Sequence, residues 1–321
     1  MTRPHLARVL VTGASGTLGY NIVKHLAATH PRTRVQVLLR TPDQALFAEF
    51  PNVGQQKADL AELPRFTEAM LDFQPNAIIH CAATGVRPSR ISWFDVIQLN
   101  VAATIELFRA SGEIPDCHFI HVSTGLVYDA QERPCHEGDP IDTLHPYGAS
   151  KAAADCLLRA GADRLHRHLT IVRPFSFTGV HDGGDRLFPS LLRAAAAGRP
   201  FPLSPGTQLR DFCAVQDVAE AICTILEQST EPERNIFNLG SGRSVSLREI
   251  VEDVCDQLGL EVDLRFGELP FHPHEPMQLV ADIRRAATLG WRPRTNLAYA
   301  VWQLAQTLCP ELSLKEPQPG L

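Results

Sequence analysis

The chain has 321 residues, with 30 Lys and Arg against 36 Asp and Glu and a formal charge of −6. That length allows one large domain or two intimate ones, and 44% hydrophobic with 21% charged residues is a globular composition that argues against disordered and collagen-like chains. The acidic balance, basic runs no longer than pairs such as Arg284-Arg285, and the lack of any apolar stretch of about 18 residues argue against nucleic-acid binding and a membrane span.

Met1 to Leu6 lack the apolar core of a signal peptide. The eight cysteines form no Cys-x-x-Cys, the closest pair being Cys213 and Cys223, which predicts reduced thiols, a cytoplasmic location and no structural zinc. The histidine pairs His166-x-His168 and His272-Pro273-His274 lack partners at ligand spacing, so no metal is expected.

In chain order, Arg8–Thr12 reads as a strand, then a glycine-rich turn, then a helix to about Ala28. Val35–Leu39, Ala77–His80, His118–Val122 and Thr170–Val172 read as further strands, with a helix over about Leu63–Leu71 and helical stretches before the last two. Strands alternating with helices imply βαβ units, an α/β fold with a doubly wound parallel sheet of Rossmann type, and a ligand crevice at one edge. After Pro174 the rhythm changes. Gly and Pro cluster from Gly179 to Pro205 around a helix Phe188–Ala197, a strand-helix unit spans about Phe212–Leu226, and a strand is expected at Asn235–Leu239. The expected division is a dinucleotide-binding domain over 1–175 plus 212–240 and a smaller, discontinuous substrate-binding lobe over 176–211 plus 241–310. A frayed tail over 311–321 completes it.

Gly13-Ala14-Ser15-Gly16-Thr17-Leu18-Gly19 joins the first strand to its helix. Gly13 permits the tight turn, Gly16 lets backbone approach a pyrophosphate, Gly19 lets helix pack on strand, and the helix N-terminus offers free N–H groups to the phosphates. At the end of the second strand stands Arg40, where a carboxylate would bind the ribose hydroxyls of NAD, and no acid precedes Asp43. A guanidinium suits a 2′-phosphate, which favours NADP (NADPH) over NAD. Asp59, followed by Leu60, is placed either to meet the adenine end or to cap a helix.

Tyr147-Gly148-Ala149-Ser150-Lys151 opens a helix, and the spacing of four puts Tyr147 and Lys151 on one face. A free phenol, with a pKa of about 10, is a poor acid-base at neutral pH; a neighbouring ammonium and an oxidised nicotinamide would lower it. Lys151 could also hold the nicotinamide ribose. Ser123 and Thr124, at the end of the His118–Val122 strand, offer hydroxyls to a reacting oxygen.

Together with His80-Cys81-Ala82-Ala83, Asn100, Val122–Tyr128, Arg173-Pro174, Arg210-Asp211-Phe212, Asp217-Val218-Ala219, Asn238-Leu239-Gly240 and Leu289-Gly290-Trp291, these motifs resemble the extended short-chain dehydrogenase/reductase family, in its nucleotide-sugar epimerase/dehydratase/reductase branch. The resemblance covers nearly the whole chain. It implies Tyr147 as general acid-base, with Thr124 as the catalytic Ser/Thr and Lys151 as helper. It also implies cofactor contacts at Gly13, Ser15, Gly16, Thr17, Leu18, Gly19, Arg40, Asp59, Leu60, Ala82, Asn100, Ser123, Tyr147, Lys151 and Pro174. Thr124, Tyr147, Ser176, His181 and Arg210 are implied for the substrate, with Arg210 on its diphosphate. A homodimer is implied through the helices after Asn100 and after Tyr147, where Ala152, Ala153 and Ala154 would allow close approach.

The departures narrow the activity. The 4,6-dehydratases carry Asp-Glu after the catalytic Thr, whereas here Gly125-Leu126 follows, and the 3,5-epimerase-reductases place Cys where Leu126 stands. His181, in Gly179-Val180-His181-Asp182, echoes a histidine of the latter and is read as either a substrate contact or a surface-loop residue. Ser176 and Thr178 replace the family's Asn and Tyr, which leaves room for a non-nucleotide ketone or aldehyde. Arg193, Arg199 and Arg284 are further possible anion contacts. The leading expectation is an NADPH-dependent 4-ketoreductase of a nucleotide-diphosphate 4-keto-6-deoxyhexose. The alternatives are a nucleotide-sugar 4-epimerase with tightly held NAD, the non-nucleotide reductase, and a cofactor-sensing regulator without turnover.

Overall fold

The computed structural model describes residues 6–85, 92–129, 132–228, 236–272 and 275–320; Asn235, His274 and Leu321 lie outside them. The first half builds β1 (Arg8–Thr12), α1 (Thr17–Thr29), β2 (Arg34–Leu39), β3 (Val53–Lys57), α2 (Leu63–Phe73), β4 (Ala77–His80), α3 (Trp93–Val96), α4 (Thr104–Ser111), β5 (His118–Val122), α5 (Pro146–Leu165) and β6 (Leu169–Pro174). Between α3 and α4 a π-helical stretch, Ile97–Ala103, carries the helix on. The second half adds β7 (Ser176–Thr178), α6 (Leu187–Ala196), β8 (Phe201–Leu203), β9 (Leu209–Arg210), β10 (Phe212–Ala214), α7 (Val215–Gln228), β11 (Ile236–Leu239), β12 (Val245–Ser246), α8 (Leu247–Leu258), β13 (Leu264–Phe266), β14 (Gln278–Leu279), α9 (Arg284–Ala287) and α10 (Leu297–Leu308).

Seven strands form one parallel sheet in the order β11-β6-β5-β4-β1-β2-β3. Alternation along each strand feeds two cores. Val9, Val11, Ile79 and Ile120 face the side covered by α1 and α7. Leu10, Ile78, Phe119 and Ile171 face the side covered by α2, α4 and α5. The chain leaves β3 at one edge and re-enters at β4 on the other side of β1, so strand order reverses at β1/β4. That reversal opens a crevice beyond their C-terminal ends.

A third core, with Phe188, Leu192, Val254, Leu258, Val301 and Leu304, joins α6, α8 and α10. Buried carboxylates tie it to the sheet. Asp211 accepts from Ser241 N and Oγ, Gly242 N and Ala281 N. Asp217 accepts from Arg294 N, Thr295 N and Thr295 Oγ1, while its carbonyl takes the Trp291 indole N–H. These motif residues hold architecture.

Residues 311–320 are packed, not frayed. Lys315 N–H donates to the Leu258 carbonyl, Asn296 N–H donates to that of Pro319, and Leu312 and Leu314 lie on the third core. Apolar contact and paired backbone outweigh the prolines there. The polar strand β3, Val-Gly-Gln-Gln-Lys, has no counterpart among the expected elements; it is an edge strand paired only to β2. All eight cysteines are free thiols. Among the described residues no helix is long and apolar enough to cross a membrane, and no three His, Cys, Asp or Glu side chains group as metal ligands.

Candidate active site

The crevice at the switch point is lined at one end by Gly13, Gly16, Thr17, Leu18 and Gly19. Gly13 has φ +67, and a Cβ there would sit 2.6 Å from Ala82 N on the loop after β4. A Cβ at Gly19 would sit 2.3 Å from the Gly13 carbonyl, so α1 can approach the turn only without one. The loop after β4 is fixed by a buried relay: Ala82 N–H donates to Thr12 Oγ1, which lies 2.8 Å from His80 Nδ1, while His80 Nε2 lies 2.9 Å from Thr104 Oγ1. Burial pulls His80 down to about 3, so its ring stays neutral. Asn100 brackets the same loop, bonding Thr84 N and O and Ser150 Oγ on α5.

At the other end the lining passes through Ser123, Thr124, Tyr147, Pro174, Ser176 and Arg210. Thr124 Oγ1 caps a short 3-10 turn, Gly125–Val127, by accepting from Leu126 N. Gly125 presses on Phe175, where a Cβ would meet the ring at 2.9 Å. A side chain there would have to displace that ring, and neither Gly125 nor Leu126 offers a carboxylate beside Thr124. Tyr147 opens α5, and Lys151 follows one turn later with its Nζ fully buried and without a hydrogen-bond partner, while the buried Ser123 hydroxyl lies against the Asp155 carboxylate. Burial pushes the Tyr147 phenol up to about 12, with Arg186 as the largest opposing influence, and pulls Lys151 down to about 8. Desolvation outweighs the Arg186 charge at the phenol, and Lys151 is not among the influences on it.

The model for the NAD dependent epimerase/dehydratase family matches residues 9–240. The chain belongs to that family. Its relatives include a UDP-glucose 4-epimerase of Azospirillum brasilense, 30% identical over 89% of this chain and 87% of that one. They also include the trifunctional UDP-glucose 4,6-dehydratase/UDP-4-keto-6-deoxy-D-glucose 3,5-epimerase/UDP-4-keto-L-rhamnose-reductase of Arabidopsis thaliana, 25% identical over 90% of this chain. The chain spans only 45% of that plant enzyme's length. Among solved structures, MoeE5 in complex with UDP-glucose and NAD superposes with a TM-score of 0.81 at 28% identity, covering 96% of this chain and 100% of that one.

A member of this epimerase/dehydratase family needs a dinucleotide, and the crevice fits one. The Cβ-free turn, the first N–H groups of α1 and the Lys151 ammonium, which has no hydrogen-bond partner, supply the room and the donors for it. Other expected contacts sit elsewhere. Arg40 is exposed at the end of β2, and Ser15 is exposed on the turn. Asp59 Oδ1 accepts from Ala61 N in a turn ahead of α2, whose N-cap is Glu62, so Asp59 does not cap that helix. Leu60 packs beside the second core, and Ala82 and Asn100 act on the loop after β4. His181 is not in the lining; its Nε2 meets the Ser15 carbonyl at 3.1 Å and its ring stacks on Tyr20. A φ of +65 turns it toward α1, which is the surface-loop alternative. Arg210 is in the crevice, but its guanidinium is bonded by Glu275 at 2.6 Å and by its own neighbour's carbonyl. Arg193 and Arg284 are likewise bonded within the protein, to the Gly184 carbonyl and to Asp282.

His145, Arg186 and Glu275 line the crevice without having been singled out from the sequence, and His272, read there only as half of a histidine pair, lines it too. His145, Arg186 and Glu275 belong to no spaced motif, and the tertiary fold brings them together from distant parts of the chain.

Proposed function

We propose that this chain is an NADPH-preferring 4-ketoreductase of a nucleotide-diphosphate 4-keto-6-deoxyhexose. The observation that carries the reading is the pairing of Tyr147 and Thr124 in one crevice with the glycine-rich turn, with no carboxylate at Gly125 or Leu126 beside Thr124. That supports redox chemistry at one carbon and speaks against elimination of water. A bound reduced nicotinamide supplies a hydride. Tyr147 Oη gives its proton to the oxygen of the reduced carbon, Thr124 Oγ1 donates a hydrogen bond to that oxygen, and Lys151 holds the ribose. Because burial keeps the phenol protonated, Tyr147 is set as an acid, the role reduction requires. Arg40 supports NADP through a 2′-phosphate contact. Arg210 takes the substrate diphosphate by exchanging its bond to Glu275.

The second reading is a 4-epimerase that recycles NAD, favoured by the Azospirillum brasilense relative. A panel of CDP-, dTDP-, GDP- and UDP-linked 4-keto sugars, with NADPH oxidation followed optically, separates the two. Stoichiometric NADPH use supports the reductase. Protein that purifies with cofactor absorbance and interconverts sugars without net NADPH use overturns it.

We also propose a homodimer built on α5 and the Trp93–Ser111 helical run. Only Ala153 of the three alanines faces outward; Ala152 and Ala154 are buried within the chain, so the contact falls to larger exposed side chains.

A further inference from the structure

His145 occupies the N-cap of α5, two residues before Tyr147, with extended backbone (φ −84, ψ 119). Histidine is not among the residues that cap helices well; Ser, Asn, Asp and Thr are. Its Nδ1 nevertheless accepts from Gly148 N–H, at a long 3.5 Å, and its own N–H donates to Thr143 Oγ1 at 3.1 Å. An accepting Nδ1 carries no hydrogen, so the ring proton sits on Nε2. Three influences oppose a second proton: burial, the positive end of α5, and the neighbouring His272. The ring stands edge-on to Tyr147, with centroids 6.4 Å apart, and lines the same crevice as Thr124 and Tyr147.

We propose that His145 is a substrate-contacting residue, a neutral imidazole whose Nε2–H hydrogen-bonds an uncharged oxygen of the hexose at or beside the reacting carbon. The inference rests on the nucleotide-sugar reading above. An uncharged donor with its acceptor edge occupied suits a carbonyl or hydroxyl and gives an anion little. A neutral imidazole fixed at a helix N-terminus can polarise a carbonyl without first losing a proton. Such a residue adds discrimination for the sugar and none for the nucleotide.

The test uses the full-length protein and the sugar nucleotide it turns over in the panel above. His145→Asn keeps a good cap but removes the ring. Its thermal midpoint, its affinity for the matching nucleoside diphosphate and its affinity for NADPH should equal those of the wild type, while kcat/KM falls at least tenfold. His145→Gly, also tolerated at a cap, should regain part of its lost activity in millimolar imidazole, a response that a purely structural role cannot give. An active His145→Asn variant within twofold of wild-type kcat/KM overturns the proposal, as does a loss of nucleoside diphosphate or NADPH binding with no imidazole rescue. Failure of the wild type to turn over any sugar nucleotide, or to bind any nucleoside diphosphate, instead brings down the substrate reading and this contact with it.

Discussion

Desolvation governs the two reactive side chains of α5. Burial that pushes the Tyr147 phenol up to about 12 keeps it protonated at neutral pH, so Tyr147→Phe removes the proton donor proposed to act beside Thr124. Its turnover should fall by about 10²–10⁴-fold, the usual weight of a positioned acid, with NADP affinity unchanged by equilibrium titration. Lys151 carries the opposite cost. Its pKa of about 8 lies below the ordinary 10.5, so the unfolded chain binds the extra proton between those values. The penalty for burying the ammonium is therefore full below about pH 8 and fades as pH rises toward 10.5. Lys151→Met should be inactive yet more stable at pH 7, by up to on the order of 3 kcal/mol at about 1.4 kcal/mol per pKa unit, with the gain gone near pH 10.5. Denaturant titrations at the two pH values check this; equal differences at both would contradict it. The glycines and the Tyr147/Lys151 pair were legible because each answers a local demand, a positive φ, a close approach or one helical face. His145, Arg186 and Glu275 were not, because nothing in their own neighbourhoods predicts the crevice they share.

At the scale of elements, the central strands were legible through short, mainly apolar runs, buried on both faces even where β4 and β5 carry histidines. The polar β3 was invisible for the complementary reason: an edge strand half open to water needs no such run. The π-helical stretch Ile97–Ala103 also escaped a reading based on a period of 3.6. Its consequence is specific, since it holds Asn100 fully buried, where one amide serves both Thr84 backbone groups and Ser150 on α5. This makes Asn100 a brace between the loop after β4 and the helix that carries Tyr147. Asn100→Ala removes the partner of the half-buried Thr84 N–H, which should cost about 1 kcal/mol in urea unfolding. A stability within a few tenths of wild type would show that the loop finds another partner.

For the whole molecule, Asp211 and Asp217 tie the third core to the sheet, and among the described residues a group of large apolar side chains stands exposed. Trp93, Phe94, Ile97 and Leu157 are 62%, 70%, 54% and 53% exposed, on two helical runs that pack against each other. Scattered apolar side chains on a surface are ordinary; four large ones on adjoining helices mark an interaction face. A two-fold axis through that face would set each patch against its copy, the arrangement that closes most soluble homo-oligomers. Ser150 and Lys151 lie on α5 itself, so a partner packed on α5 would also stiffen the crevice floor. The wild type should sediment at twice the chain mass at micromolar concentration. The double substitution Trp93→Asp with Phe94→Glu adds charge to both copies of the face, and should sediment as a folded monomer with a lower thermal midpoint. A wild type that sediments as a monomer, or a double variant that stays dimeric, would move the association to another surface and leave this patch unexplained.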